Sequence, residues 1–448
     1  MTHLFKSRRP LYAALAALAV FVPALAGCSP PREMPTFGSL IEPFQRPEPK
    51  VPGERRDALP VAGDGGQTVT GEAVSLASAQ LQPEWPNPGG PATNAPGHLS
   101  IGSGAYAFAV PVGEGSARRS RLVAPPIVHQ SYAVVMDARG NVSAVSLSGG
   151  GKAWAIATKP ENERGRGASG AGLAAESGRV FVATAYNTVR ALDIRTGAQI
   201  WEAKLSAPAR SAPTVADGVI YIVSATNVVH ALNAADGTEA WNYNGIPETA
   251  SIMSPSSAAV SGGIVVVPYS SGEVIAFKAS DGTPVWSDQL TGQSRFSAVS
   301  GIRDVAARPV IVGSTVYAIG VGGRLAAISL KSGERLWGAN VASSTTPAVS
   351  GNAIFVATLD NKLVAVDRED GSFLWSVGLP SGTNWVGPLL AGNTLWLGSA
   401  DGRVLRVNPT NGSTVSETKL GKGVLIPPIG AAGRVLVLDD SGRLNVYN

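Results

Sequence analysis

The sequence predicts an all-β fold: an eight-bladed β-propeller of four-stranded antiparallel blades, with the last blade closed by an N-terminal strand. Three observations support this prediction. A strand motif recurs eight times, glycine is abundant while charged residues make up only 15% of the chain, and the last repeat stops before its fourth strand. This composition is typical of many short strands joined by tight turns. A repeat of about 40 residues is the size of one propeller blade.

The repeated motif is a short strand that usually carries a small residue at its third position. Its copies follow one another at spacings of 47, 40, 45, 51, 38, 41 and 40 residues. A β-rich run such as Val219–Val223 precedes each copy, and turn residues such as Asp217 and Gly218 precede that run, as a tight hairpin requires. The eight copies begin at Val142, Val189, Val229, Val274, Leu325, Leu363, Val404 and Leu444.

A tryptophan follows six of the copies, always four residues after a turn glycine. Because this spacing recurs with the blade period, we interpret the tryptophans as side chains that dock each blade on its neighbour, not as a ligand platform. The seventh copy has Ser416 at this position. The six docking tryptophans are Trp154, Trp201, Trp241, Trp286, Trp337 and Trp375.

The eighth copy ends at Asn448, directly after its third strand. An alternating, strand-like segment, Ala105–Val112, stands before the first full unit and has no blade of its own. We expect this segment to insert as the missing fourth strand, because closing the ring removes the unpaired strand edges.

The N terminus has the pattern of an export signal. Lys6, Arg8 and Arg9 precede an apolar run, Leu11–Val22, which is shorter than the roughly 20 residues that a membrane-spanning helix needs. The sequence Leu-Ala-Gly-Cys that ends at Cys28 resembles the lipobox of bacterial lipoprotein precursors. This resemblance implies cleavage before Cys28 and a diacylglycerol on its thiol; the alternative is an ordinary secretory signal followed by an unrelated cysteine.

The chain is therefore divided into a lipoprotein signal peptide (1–27), a lipidated, Pro-rich and largely disordered tether (28–95) and the propeller (96–448). Ser29 stands where such lipoproteins often carry an aspartate that keeps them at the inner membrane, which favours the outer membrane facing the periplasm. The sole cysteine, Cys28, leaves the exported domain without disulfides. Without the three basic residues of the signal, the net charge of +4 falls to about +1 and no dense basic run remains, so nucleic acid is not an expected partner.

Residues that could carry chemistry are few. His98, His129 and His230 have no metal-ligand spacing. No Ser/His/Asp set stands out, so no catalytic residue, metal or cofactor is predicted. Trp385 lies in a glycine-rich loop and is compatible with a surface contact; it is the only basis for a carbohydrate-binding alternative. The aspartates Asp193, Asp236, Asp281 and Asp370 recur with the blades and are interpreted as turns that satisfy their own backbone.

Two repeat units, Leu192-Asp193-x-x-Thr-Gly-x-x-x-Trp201 and Val366-Asp367-x-x-Asp-Gly-x-x-x-Trp375, resemble the pyrroloquinoline-quinone-like propeller repeat. Quinoprotein dehydrogenases and the propeller lipoproteins of the outer-membrane β-barrel assembly machinery both carry this repeat. The second group is the closer match, because the lipobox, the eight blades, the split last blade and the loops before the fourth and fifth blades all agree with it. The tether and the Trp85–Gly90 segment depart from its shorter members.

The closer resemblance implies a non-enzymatic scaffold that binds the periplasmic domains of the barrel-inserting subunit and aids delivery of unfolded outer-membrane proteins. A dehydrogenase, the alternative, would need a calcium-binding acid set and a catalytic aspartate, and neither stands out. The adjacent cysteine pair that is common in those enzymes cannot form with Cys28 alone.

A partner-binding patch is predicted where the loops before the fourth and fifth blades meet, because these loops break the repeat period. Ile252 and Met253 offer apolar contact, and methionine suits adaptable surfaces. Arg303 and Asp304 are charged residues among apolar ones, and the resemblance implies that an acid at Asp304 faces the partner. The alternative is a self-satisfied loop in which both charges are merely solvated.

Overall fold

The computed structural model describes residues 73–118, 120–164, 167–246, 256–290, 305 and 307–448. Within these residues the regular elements are 32 strands, which form eight four-stranded antiparallel sheets. The predicted eight-bladed propeller is confirmed. In the same part of the chain no helix is long and apolar enough to cross a membrane.

The blades follow one another along the chain, and their strands are as follows. Blade 1 contains β2 (Ile127–His129), β3 (Tyr132–Met136), β4 (Val142–Ser146) and β5 (Lys152–Ile156). Blade 2 contains β6 (Gly172–Glu176), β7 (Arg179–Ala183), β8 (Thr188–Asp193) and β9 (Gln199–Lys204). Blade 3 contains β10 (Thr214–Ala216), β11 (Val219–Val223), β12 (Val228–Asn233) and β13 (Glu239–Asn244). Blade 4 contains β14 (Ala259–Ser261), β15 (Ile264–Pro268), β16 (Glu273–Lys278) and β17 (Pro284–Gln289).

The second half of the ring repeats this order. Blade 5 contains β18 (Val310–Val312), β19 (Thr315–Ile319), β20 (Leu325–Ser329) and β21 (Arg335–Ala339). Blade 6 contains β22 (Ala348–Ser350), β23 (Ala353–Ala357), β24 (Lys362–Asp367) and β25 (Phe373–Gly378). Blade 7 contains β26 (Trp385–Ala391), β27 (Thr394–Ser399), β28 (Arg403–Val407) and β29 (Thr414–Lys419). Blade 8 contains β30 (Ile429–Ala431), β31 (Arg434–Asp439), β32 (Arg443–Tyr447) and β1 (Tyr106–Pro111).

The first strand of each blade lies at the centre of the ring and the fourth at the circumference. First strands of adjacent blades, such as β2, β6 and β10, contact one another. The fourth strands are mostly exposed; β13 buries little apart from Trp241. First and second strands are joined by tight hairpins, and Asp217 and Gly218 have φ values of 52° and 77°, as the turn-residue prediction required.

The ring closes as the sequence predicted. β1 pairs antiparallel with β32, with Phe108 opposite Val446 and Val110 opposite Leu444. The first and last strands of the propeller therefore share one blade, and β32 does not present an unpaired edge.

Each of the six tryptophans lies between its own blade and the next. The indole Nε1 of Trp154 donates to the carbonyl of Ile194 in blade 2 at 2.8 Å, and its ring lies on Gly197. The other five tryptophans donate to carbonyls of the following blade: Trp201 to Ala234, Trp241 to Ala279, Trp286 to Leu330, Trp337 to Arg368 and Trp375 to Pro409.

Two blade contacts lack such a tryptophan. Between blades 8 and 1, Phe108 takes its place and its ring faces Gly150, where an added Cβ would lie 3.3 Å away. Between blades 7 and 8 there is no turn to cover, because the third and fourth strands of blade 8 come from opposite ends of the chain. There Trp396 packs edge-on against Tyr447, with ring centroids 5.3 Å apart. This contact explains why a serine, Ser416, can stand at the position that a docking tryptophan occupies in blades 1 to 6.

The predicted boundary of the tether is wrong. Residues 73–104, here called the N-terminal segment, run around the centre of the ring and contact every blade, so the part of the tether from residue 73 to 95 belongs to the folded domain. Trp85 is 3% exposed and exchanges two backbone hydrogen bonds with Val128 of β2, at 2.7 and 2.8 Å. The first strands have inward-facing edges without a neighbouring strand, and the N-terminal segment supplies partners to these edges.

The remaining blades are bound in the same way. Pro86, Ala92 and Thr93 accept backbone N–H groups of blades 2, 4 and 5, and Gln82 accepts one from blade 8. Asn87 binds both backbone groups of Val215 in blade 3. The contacts to blades 6 and 7 are Ser75 N to Asn352 Oδ1 at 2.8 Å, Ala77 N to Ser350 Oγ at 3.2 Å and Leu99 N to Leu390 O at 3.0 Å.

Candidate functional site

The residues predicted to bind a partner, Ile252, Met253, Arg303 and Asp304, lie outside the described residues, and so does Cys28. Their place in the topology is defined by the strands on either side. Residues 245–258 connect β13 to β14, and residues 290–309 connect β17 to β18. Both connect the last strand of one blade to the first strand of the next, so both begin and end at the same face of the ring. A third long connection of this kind, residues 157–171, follows β5.

The opposite face carries the N-terminal segment. Its contacts include the turns that follow first strands, at Asn352, Asn393 and Ala432. His98 contributes to this attachment: its Nδ1 donates to the carbonyl of Ala77, and its Nε2 accepts the backbone N–H of Asn393 at 3.2 Å. The two faces of the propeller therefore differ, one being covered by the N-terminal segment and the other carrying the long connections.

A groove lies beside the connection that follows β13. It has a volume of about 280 Å³ and runs between the outer strands of blades 3 and 4. Ile246, at the start of the connection, is 57% exposed, and Val285 of β17 is also exposed. The groove is lined by Tyr243, Asn244, Gly245, Ile246, Glu273, Ile275, Pro284, Val285, Trp286 and Ser287.

The structure brings together one Ser-His-acid set that the sequence analysis did not find. His230 Nδ1 lies 2.6 Å from Glu239 Oε1, and His230 Nε2 lies 3.2 Å from Ser206 Oγ. The antiparallel pairing of β12 with β13 places Glu239 beside His230. This is the hydrogen-bond order of a catalytic triad. Ser206 and Glu239, however, are exposed in a wide groove between blades 2 and 3.

Trp385 is not a surface platform, contrary to the sequence-based interpretation. It is only 7% exposed, and its Nε1 donates to the carbonyl of Pro380 at 3.0 Å. The guanidinium of Arg403 lies 5.3 Å from its ring centroid and covers one face. The carbohydrate-binding alternative, which depended on this side chain alone, therefore loses its basis.

The recurring aspartates bind their own turns. Asp193 Oδ1 accepts the hydroxyl of Thr196 at 2.8 Å and two backbone N–H groups, and the bond from the Thr196 hydroxyl is the main reason why the pKa of Asp193 is lowered. Hydrogen bonds from Thr238 likewise lower the pKa of Asp236. Across the described ranges, no group of three or more His, Cys, Asp or Glu side chains could hold a metal ion.

Comparison with known families decides between the two groups that share this repeat. A family model described as outer membrane protein assembly factor BamB matches residues 138–377, more than half of the chain. The chain belongs to the BamB family. The matched residues run from blade 1 to the fourth strand of blade 6, and membership supports a role in outer-membrane protein assembly.

Individual relatives agree with this assignment. The chain is 26% identical over 324 residues to BamB of Moranella endobia (strain PCIT), covering 71% of this chain and 84% of the relative. The crystal structure of BamB from Moraxella catarrhalis superposes with a TM-score of 0.64 at 19% identity, covering 77% of this chain and 99% of that one. Quinohemoprotein alcohol dehydrogenase from Comamonas testosteroni gives a TM-score of 0.65 at 14% identity, covering 83% and 81%. At these identities the two structures share only the propeller fold with this BamB-family chain.

Proposed function

We propose that this chain is a lipid-anchored, non-enzymatic scaffold of the outer-membrane β-barrel assembly machinery. In this proposal a lipid on Cys28 attaches it to the outer membrane, facing the periplasm. The propeller binds the periplasmic domains of the barrel-inserting subunit and aids the delivery of unfolded outer-membrane proteins. Membership of the BamB family supports the general role.

The difference between the two faces is the observation that carries the proposal. One face is occupied by the N-terminal segment, whereas the other carries the connections 245–258 and 290–309 on adjacent blades. Ile246 supplies an exposed apolar side chain at the start of the first connection. Apolar anchors beside charged residues are what a protein interface needs, and Ile252, Met253, Arg303 and Asp304 would supply both on these connections.

The anchor and the partner use different faces in this account. The described chain enters the propeller near Ser75, which binds Asn352 on the face opposite the long connections. The first described residues therefore meet the propeller on the face away from the proposed partner-binding connections. Two acyl signals are needed for stable membrane attachment, and a diacylglycerol with an additional amide-linked chain would meet this requirement.

Purification of the lipoprotein from membranes in a mild detergent tests the proposal. We expect the barrel-inserting subunit to co-purify with the wild-type protein. We expect Cys28→Ala to move the protein from the membrane fraction to the soluble periplasmic fraction while its melting temperature stays unchanged. Failure of the barrel-inserting subunit to co-purify would contradict the scaffold role, and membrane retention of the variant would contradict the lipid anchor.

A further inference from the structure

The central channel encloses a small cavity between the N-terminal segment and the starts of the first strands. Its volume is about 50 Å³. The N-terminal segment supplies Trp85, Pro88, Asn94 and Pro96 to its wall, and blades 5 and 6 supply Arg308 and Thr346. Five further wall residues are prolines that precede or lie in first strands: Pro125, Pro347, Pro388, Pro427 and Pro428.

Arg308 is the charged side chain in this wall, and it is only 6% exposed. Its Nη1 donates to Thr346 Oγ1 at 3.3 Å, and its backbone N–H donates to the same oxygen at 3.2 Å. The other two guanidinium nitrogens, Nε and Nη2, have no hydrogen-bond partner, and Arg308 forms no ion pair within the described part of the chain. Burial lowers the pKa of Arg308 to about 10, a value at which the side chain is still charged at neutral pH.

The two unpartnered nitrogens define the shape of the missing partner. Nε and Nη2 lie on one edge of the guanidinium, and their N–H bonds point in parallel. This edge matches the two oxygens of a carboxylate, which it binds through two parallel hydrogen bonds. The wall contains no carboxylate, its side-chain acceptors being the amide oxygen of Asn94 and the hydroxyl of Thr346. A buried cation without an anionic partner is strongly unfavourable. The geometry therefore calls for a planar oxyanion that the described residues do not supply.

The volume of the cavity limits the size of this anion. One water molecule needs roughly 10–15 Å³ by the same measure, so the space holds about one carboxylate group with one or two atoms attached. A fused-ring cofactor does not fit. The buried Oδ1 of Asn94 also lacks a donor, and a water molecule bound beside the anion would satisfy it.

We propose that Arg308 binds a small free carboxylate, of the formate or acetate class, inside the central channel beneath the N-terminal segment. Thr346 positions the guanidinium by holding Nη1, so that the Nε–Nη2 edge faces the cavity. Bound anion neutralises the buried charge and stabilises the closed channel. Arg308 lies near the end of the connection 290–309, so the site adjoins the side of the ring that carries the long connections.

Saturation-transfer NMR with formate and acetate, on the detergent-solubilised mature lipoprotein, tests this directly. We expect saturable binding of both anions at constant ionic strength, with a parallel rise in melting temperature, because a ligand of the native state stabilises it. Chloride, which is spherical, should not reproduce either effect. Arg308→Met should abolish binding. Arg190→Met, which removes an arginine paired with Glu202 on the surface of blade 2, should leave it unchanged.

Thr346→Val provides a second, milder variant in case Arg308→Met does not fold. Loss of the hydroxyl frees Nη1 and should weaken carboxylate binding by about tenfold, the usual effect of one hydrogen bond to a charged group. Absence of saturable binding to the wild-type protein would overturn the proposal. Unchanged affinity in Arg308→Met or, if that variant is unfolded, in Thr346→Val would overturn it as well.

Discussion

Gly197 of blade 2 lies directly against the indole ring of Trp154 in blade 1: an added Cβ would come within 2.8 Å of the ring. The glycine that precedes a tryptophan by four residues in the sequence thus packs against the tryptophan of the previous blade. The sequence motif therefore records the contact between blades and not a contact within one blade. The φ of Gly197, 72°, is a second reason for glycine at this position.

Gly237→Ala should destabilise the propeller more than Gly218→Ala. Both glycines have a φ of 77°, so both substitutions incur the same backbone strain of about 1–2 kcal/mol. A Cβ added at Gly237 would lie 2.7 Å from the ring of Trp201. A Cβ added at Gly218 would have no heavy atom within 4 Å beyond its chain neighbours. Overpacking adds about 1–3 kcal/mol. Urea unfolding of the two variants measures the difference, and equal midpoints would contradict the docking role of the indole.

Much of this architecture could be predicted from the sequence, because it repeats. The blade period, the docking tryptophans and the closing strand around Phe108 are all visible as patterns. The N-terminal segment is not, since its contacts with the blades are irregularly spaced along it and show no strand or helix period. Asn87 and Asn94 bind backbone groups of particular blades, and such contacts leave no repeat in the sequence.

A chain that starts at residue 73 should melt like the full mature chain, whereas one that starts at residue 105 should melt at a clearly lower temperature. The second truncation retains β1 and so keeps the ring closed, but it exposes the inward edges of the first strands and the hydrophobic surface under Trp85. Thermal unfolding followed by circular dichroism compares the two. Identical melting temperatures would show that the N-terminal segment is not part of the cooperative fold.

Asp401→Asn should lower stability at neutral pH by about 1 kcal/mol or less, the usual range for an exposed pair. The hydrogen bond from Arg403, assisted by Ser399, lowers the pKa of Asp401 to about 2. Because the folded-state pKa lies below the unfolded value of about 3.9, the stabilisation is present above pH 4 and is lost as the pH falls towards 2. The urea midpoints of variant and wild type should therefore converge between pH 4 and 2. A constant difference over this range would contradict the assignment.

Ser206 should not react with a fluorophosphonate probe, although His230 and Glu239 align behind it. Triad chemistry depends on preorganised groups in a site that excludes water, and Ser206 and Glu239 face solvent. Mass spectrometry of the intact protein after incubation with the probe checks this, with Ser206→Ala as the control. A covalent adduct on the wild-type protein that is absent from Ser206→Ala would contradict the scaffold reading in favour of a hydrolase.

This triad-like set and the Arg308 cavity show where sequence reasoning stops. The pairing of β12 with β13 brings His230 beside Glu239, and the connection that follows β9 brings Ser206 to them. No motif spacing in the sequence predicts this set. Arg308 occupies the position before a first strand that prolines take in other blades, such as Pro427. The sequence shows the exception, but only the packing shows that the guanidinium is buried and lacks an acceptor on one edge.

The central claim, a partner-binding face on the side of the long connections, is tested most directly by measuring the affinity of the propeller for the soluble periplasmic domains of the barrel-inserting subunit. Ile252→Asp combined with Asp304→Lys should weaken binding by at least tenfold and leave the melting temperature unchanged. The matched control, Leu81→Asp combined with Glu369→Lys, places the same changes at exposed positions on the opposite face, and it should bind like the wild type. Unchanged affinity in the first variant, or an equal loss in both, would contradict the account.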